Sequence, residues 1–124
     1  MLVRMDALQA DRIAKSWTEA WNNHDLDALM AHYSDDVVFY SPFVKLLDAG
    51  EEGIVRGKEA LRDYLGRGMD AYPHTRFQLH RTGFGVNSIV MNYISVNGML
   101  ANELHVLNGD GLASEVRCHY SEAV

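Results

Sequence analysis

A chain of 124 residues buries enough surface for one domain with its own core and too little for two. It is 48% hydrophobic and 23% charged, as soluble globular chains are, and a formal net charge of -6 with no Lys/Arg cluster argues against nucleic acid or an anionic membrane as partner. With Cys118 the lone cysteine, no signal-peptide core in MLVRMDALQADR and no run near the roughly 20 apolar residues that span a bilayer, a reducing, cytoplasmic setting is expected.

In chain order, residues 6 to 22 place Leu8, Ile13, Ala14, Trp17, Ala20 and Trp21 at helical spacing, which predicts an amphipathic helix with one wide apolar stripe. Asn22, Asn23 and His24 break that pattern. Asp25 is suited to cap a second helix, because a short carboxylate accepts from the free N–H groups of a first turn. Leu26, Leu29, Met30 and Tyr33 give that helix its buried face. Ser34-Asp35-Asp36 reads as a turn, Val37 to Ser41 as a strand, and Pro42 as the strand's end, since proline cannot donate to a ladder. Residues 43 to 56 stay open between two readings: an irregular or short hairpin loop acting as a lid, or a solvated loop with no role. Gly57 opens a third helix with Leu61, Tyr64, Leu65 and Met69 inward; Gly66 and Gly68 weaken its end and Pro73 stops it.

Strands and turns fill the remainder. Thr75 to Phe84 is one strand, with a kink near Gly83 and Gly85, and Ser88 to Val96 is the next. Asn97-Gly98 is a two-residue hairpin signal, because both central residues of a type I′ turn need positive φ. Met99 to Leu107 follows, Asn108-Gly109-Asp110-Gly111 turns the chain again, and Leu112 to Tyr120 closes the sheet. Helices first and an antiparallel meander after them predict an α+β fold.

Turn geometry sets register, and register sets faces. With Asn97-Gly98 as a two-residue turn, Asn92 lies opposite Glu103 and Ile94 opposite Ala101. With Gly109-Asp110 at the next turn centre, Glu103 lies opposite Val116, Ala101 opposite Cys118 and Met99 opposite Tyr120. One face then carries Glu103, His105, Asn92, Val116, Cys118 and Tyr120 among apolar neighbours. The other carries Met91, Tyr93, Leu100, Leu104 and Val106 with Asn102, Arg117 and His119. Both faces are more apolar than a sheet covered on one side requires. The uncovered face is therefore expected to pack on a second copy, as a twofold homodimer.

Glu103 is the sharpest chemical candidate. It interrupts an apolar strand on the face assigned to the helices, a position suited to a general acid or base. A structural pairing with Arg or His, or an inverted face that leaves it solvated, is an equal reading. His105, two residues on, would form with it a pair able to shuttle a proton near pH 7, against the reading of a bystander near a strand end. Asn92 would hold the Glu103 side chain or a ligand carbonyl. Trp17, Trp21, Tyr33, Phe39, Tyr64 and Tyr120 would surround an aromatic cavity, with Trp21 and Tyr33 read as plain core. No His-Glu-x-x-His or cysteine cluster implies a metal, and no glycine-rich phosphate loop implies a cofactor. Cys118, expected to be buried with no base beside it, is a poor nucleophile.

The stretch from Trp17 to Pro42 carries a resemblance. Trp-x-x-x-Trp, Asn-Asn-His-Asp-Leu-Asp and Asp-Asp-Val-Val-Phe-Tyr-Ser-Pro together resemble the SnoaL-like and ketosteroid isomerase-like branch of the nuclear transport factor two-like superfamily. Alignment on Asp25-Leu-Asp27, Ser41-Pro42 and the Asn108 to Gly111 turn extends it over nearly the whole chain. The resemblance implies one domain over residues 1–124. Its form would be an α+β cone, with three N-terminal helices packed on a curved antiparallel sheet, a pocket between them, and a habit of dimerising through the sheet. In ketosteroid isomerases a first-helix tyrosine and a protonated acid on the sheet form an oxyanion hole, and an aspartate just before the strand-ending proline is the base. Those positions here are Trp17, Glu103 and Ser41, so only the acid keeps its chemistry. Trp17 still offers an indole N–H, whereas Ser41 is no base at neutral pH without a partner. Trp17 and Phe39 match positions that touch ligand. SnoaL-like polyketide cyclases and related dehydratases use mostly Asp and His in the same cavity, which makes His105 the nearest match.

The leading expectation is a cofactor-independent isomerase, cyclase or dehydratase that moves protons on a small hydrophobic carbonyl or polycyclic substrate. Glu103 would be acid or base, with His105 or Asn92 assisting. Trp17, Phe39, Ser41, Tyr64, Val116, Cys118 and Tyr120 would lie against the substrate. The alternatives are a non-catalytic binder of a small apolar ligand and a dimerisation module whose own aromatics fill the cavity.

Overall fold

The computed structural model describes residues 5–124; Met1 to Arg4, where the stretch MLVRMDALQADR begins, lie outside the described residues. Helix α1 (Ala7–Asn22) starts where Asp6 caps it, the carboxylate accepting from the Gln9 N–H at 2.8 Å. Its stripe buries Ala10, Ala14, Trp17, Ala20 and Trp21, but leaves Leu8 exposed. Asp25 caps α2 (Leu26–Met30) by accepting from the Ala28 N–H at 3.1 Å. Among the described residues no helix is long and apolar enough to cross a membrane.

Strand β1 (Tyr33–Tyr40) begins earlier than its apolar run suggests. Ser34, Asp35 and Asp36 lie inside the strand rather than in a turn. Their polarity is absorbed locally: the Ser34 hydroxyl lies 2.7 Å from Asp36 Oδ1 and 3.2 Å from the Ala113 carbonyl. A register shift between Tyr33 and Val38 accommodates the irregularity.

The stretch after Ser41 departs most from expectation. It holds a fourth helix, α3 (Pro42–Leu46), and a short strand, β2 (Ile54–Arg56), where a loop was anticipated. Pro42 ends β1 and also begins α3, because a first helical turn needs no N–H from it and its fixed φ suits the helix. Ser41 caps α3, its Oγ accepting from the Phe43 N–H at 3.2 Å. Among the described residues the architecture therefore has four α-helices, not three. Gly57, at φ 89°, then leads into α4 (Lys58–Ala71), which buries Leu61, Tyr64, Leu65 and Met69.

Strands β3 (Gln78–Gly85), β4 (Ser88–Ile94), β5 (Leu100–Leu107) and β6 (Ala113–Tyr120) complete one six-stranded sheet in the order β2-β1-β6-β5-β4-β3. The sheet is not wholly antiparallel. β1 runs parallel to β6, while the other neighbouring pairs are antiparallel. The long excursion through α3, α4 and four strands supplies the crossover that a parallel pair needs. Helix α1 packs on β3 and α4 on β1, with α2 against both helices. The core lies between these helices and one face of the sheet.

One turn decides which side chains reach that core. Asn97 and Gly98 do adopt positive φ, 58° and 71°, and the Met99 N–H donates to the Val96 carbonyl at 3.2 Å. The Met99 carbonyl, however, accepts from Ser95 at 2.7 Å rather than from Val96. Val96 is thus an extra residue, a bulge beside the turn, within the short 3-10 segment Val96–Gly98. Pairing consequently runs Ile94↔Leu100, Asn92↔Asn102 and Met91↔Glu103, one residue away from the expected register. A shift of one exchanges the faces of β4. Met91 and Tyr93 point into the core, and Asn92 and Ile94 point out. At the next turn the departure is two residues, with Glu103↔Cys118 and His105↔Val116, so the faces of β5 and β6 stay as expected.

Candidate active site

Strand alternation brings Glu103 and His105 to the same side of β5, and the helices cover that side. Both are buried, Glu103 at 2% and His105 at 1% exposure. His105 Nε2 lies 2.7 Å from Glu103 Oε2. The Tyr93 hydroxyl donates to Glu103 Oε1 at 2.7 Å, and the Cys118 thiol donates to the same oxygen at 3.2 Å. These contacts follow from register: Cys118 on β6 and Met91 on β4 are paired directly with Glu103, and Tyr93 lies on the same face of β4 two residues on. Burial, then the Glu103 charge, pushes both the Tyr93 hydroxyl and the Cys118 thiol well above their usual ranges, so each stays protonated as a donor.

An aromatic cavity of about 50 Å³ opens against this group. Trp17, Tyr33, Phe39, Tyr64 and Tyr120 share its wall with Glu103 and Tyr93. Trp21, stacked on Phe77 at 4.5 Å between ring centroids, closes one end. Beyond that pair lies a second cavity of about 40 Å³ that reaches Phe43, Tyr72 and Val96 and shares Trp21, Tyr64, Phe77 and Tyr120 with the first. Tyr72 is half-buried in the wall of this second cavity.

Comparison with known proteins places this architecture. Residues 14–121 match the SnoaL-like domain family. The chain belongs to the SnoaL-like family. It is 31% identical to a SnoaL-like protein of unknown function from Burkholderia thailandensis, with a TM-score of 0.86 over 91% of this chain and 94% of that one. Two more distant structures share the fold. One is a candidate isomerase of the SnoaL-like family from Agrobacterium tumefaciens (14% identity, TM-score 0.75, 93% and 99% covered). The other is IdmH, a candidate polyketide cyclase from Streptomyces antibioticus (16% identity, TM-score 0.72, 91% and 92% covered). No curated protein matches the sequence.

Within this SnoaL-like chain the residues singled out from sequence fall into three groups. Glu103, Trp17, Phe39, Tyr64 and Tyr120 meet at the cavity, with His105 bonded behind Glu103. Trp17 does not present its N–H to that space, because the indole donates to the Tyr33 hydroxyl at 2.9 Å. Ser41, Val116 and Cys118 are buried around the site but do not line the cavity: Ser41 caps α3, Val116 is core, and Cys118 supports Glu103. Asn92 is elsewhere altogether. The bulge at Val96 turns it to the outer face, where its amide donates to Asn102 Oδ1 at 2.8 Å.

Tyr93, Tyr33, Trp21 and Phe77 are the site residues that sequence reading missed or set aside. A usable signal existed for Tyr93. Its face of β4 reads Ile89, Met91, Tyr93, whereas the other face includes Asn92, and an asparagine without a partner is costly to bury. Ranking the two faces by polarity, rather than by the turn, would have sent Tyr93 inward. Among the described residues, no group of three or more His, Cys, Asp or Glu is placed to hold a metal ion.

Proposed function

We propose that this SnoaL-like protein is a proton-transfer enzyme of isomerase or cyclase type. It acts on a small, largely apolar carbonyl compound, with Glu103 as the acid–base group and His105 as its partner. The observation that carries this reading is the Glu103 carboxyl itself, buried on the wall of an aromatic cavity and held by His105, Tyr93 and Cys118. A carboxylate offers about four acceptor sites. Three are filled by protein, which leaves one for a substrate proton. Removal of a proton α to a carbonyl and its return at another carbon would break one C–H bond and form another on the same molecule, with Glu103 holding the proton between. His105 and Tyr93 fix the carboxyl in one orientation, which is what positioning a proton acceptor requires. The names of the isomerase and cyclase neighbours agree with this class.

Cavity size narrows the substrate. Two adjoining spaces of about 50 and 40 Å³ are smaller than the roughly 150 Å³ that admits a benzene ring. A ligand of one ring would need the shared aromatic walls to part, and a polycyclic one would need far more movement. The satisfied Glu103 network also supports the second reading, a binder without turnover, since a closed polar network can be purely structural.

Hydrogen–deuterium exchange at the α-carbon of cyclohexanone, followed by NMR in D2O, separates the two. Wild-type protein accelerates exchange, and Glu103→Gln loses at least about a hundredfold of that acceleration. Equal exchange by the folded variant would remove Glu103 from the chemistry. Saturable cyclohexanone binding without any exchange would establish the binder.

A further inference from the structure

Helix α1 carries two buried tryptophans one turn apart, and their indole N–H groups are treated differently. Trp17 Nε1 donates to the Tyr33 hydroxyl at 2.9 Å. Trp21 Nε1 is buried with no hydrogen-bond partner, the one such side-chain nitrogen or oxygen among the described residues. Trp21 as a whole is 6% exposed, so water does not serve it from outside. Buried donors are nearly always satisfied, and an exception asks for an explanation. Packing does not require the nitrogen. The ring stacks on Phe77 at an interplanar angle of 6°, and its Cη2 edge stands 3.3 Å from where a Cβ on Gly68 would be. A phenylalanine would keep the stack and remove the orphan donor. Trp21 lines both cavities.

We infer that the Trp21 N–H is a recognition donor for an oxygen acceptor, a carbonyl or hydroxyl oxygen, on the molecule that occupies these cavities. This inference rests on the reading of the cavities as the site for a small carbonyl compound. The ligand is then held at two polar points, Glu103 on the wall of the first cavity and Trp21 in the wall shared with the second, with aromatic rings between. Such a site selects a ketone over a hydrocarbon of the same shape, because only the ketone satisfies the indole.

Acetophenone and α-methylstyrene test this as a matched pair, since C=O replaces C=CH2 on one frame. In protein labelled with 15N at tryptophan, acetophenone moves the Trp21 indole proton downfield and α-methylstyrene does not; Trp21→Phe assigns the resonance. That variant binds acetophenone roughly tenfold more weakly, and α-methylstyrene within about twofold of wild type, which also shows that the pocket is intact. An unmoved Trp21 resonance at saturating acetophenone overturns the inference, as does equal weakening of both ligands or failure of both to bind wild type. The enzyme reading fails separately. If Glu103→Gln keeps the Trp21 shift and wild type shows no catalysed exchange, recognition stands and catalysis falls. If exchange depends on Glu103 but the indole is silent, the reverse holds.

Discussion

His32 lies behind the site, at the seam between α2 and β1, where its Nε2 is 3.2 Å from Ser16 Oγ. Burial first, and the nearby His105 second, lowers its pKa from 6.5 to about 4. The sign of the consequence is fixed. The unfolded chain takes up the proton near pH 6.5 and the folded chain resists it until about 4, so the stabilisation is intact above pH 6.5 and is lost as pH falls towards 4. Between pH 7 and 5 this amounts to about 2 kcal/mol. Urea unfolding at the two pH values should show that difference in wild type and not in His32→Gln; an equal loss in both would assign the acid sensitivity to another group. At this scale sequence was informative where a residue contradicted its surroundings. Glu103 stands out because a carboxylate interrupts an apolar strand. Trp17 shows the opposite case: its indole looked free for a ligand, because Tyr33 was assigned to α2 and so could not be seen to accept from it.

The elements were legible where a periodic pattern met a chemical stop. Asp25 and Gly57 marked the starts of α2 and α4, and the stripe gave α1 nearly to the residue, since caps and periodicity act locally; α2 ends at Met30, short of Tyr33, which belongs to β1. Helix α3 was hidden because five residues show no period and Pro42 had already been used to end β1. The register of β4 was hidden for a different reason: the turn residues were right, and the single bulged residue beside them carries no local signal. Helix α4 offers a test of how far local propensity governs. Gly66 faces open packing, with Leu26 Cδ2 3.6 Å from an added Cβ, so Gly66→Ala should stabilise by about 1 kcal/mol through helix propensity. Gly68 gains the same propensity, but its Cβ would press at 3.3 Å on an indole already stacked against Phe77. Gly68→Ala should therefore show no gain, or a loss, in urea midpoint. A gain equal to that of Gly66→Ala would mean that the Trp21 wall is soft.

The sheet as a whole has a covered face and an open one. On the open face Val90 is 40% exposed, and Ile94, Leu100, Leu104 and Val106 are half-buried beside it. Polar groups there are already engaged: Asn92 with Asn102, and Arg117 with Glu115 at 2.8 Å and over the Tyr40 ring. The bulge moves Met91 and Tyr93 inward, so this face is less apolar than sequence suggested, but an apolar strip remains across β4 and β5. A specific interface needs roughly 800 Å² from each partner, and the open sheet face can offer that to a second copy about a twofold axis. Sedimentation at micromolar concentration should then report a homodimer. Val90 and Leu104 are directly paired across β4 and β5, so one substitution at each places two like charges at the middle of the strip. Val90→Glu with Leu104→Glu should give a folded monomer, because neither side chain belongs to the core against the helices. A wild-type monomer at that concentration would discard the sheet-face dimer. A double variant that stays dimeric would move the interface off this strip.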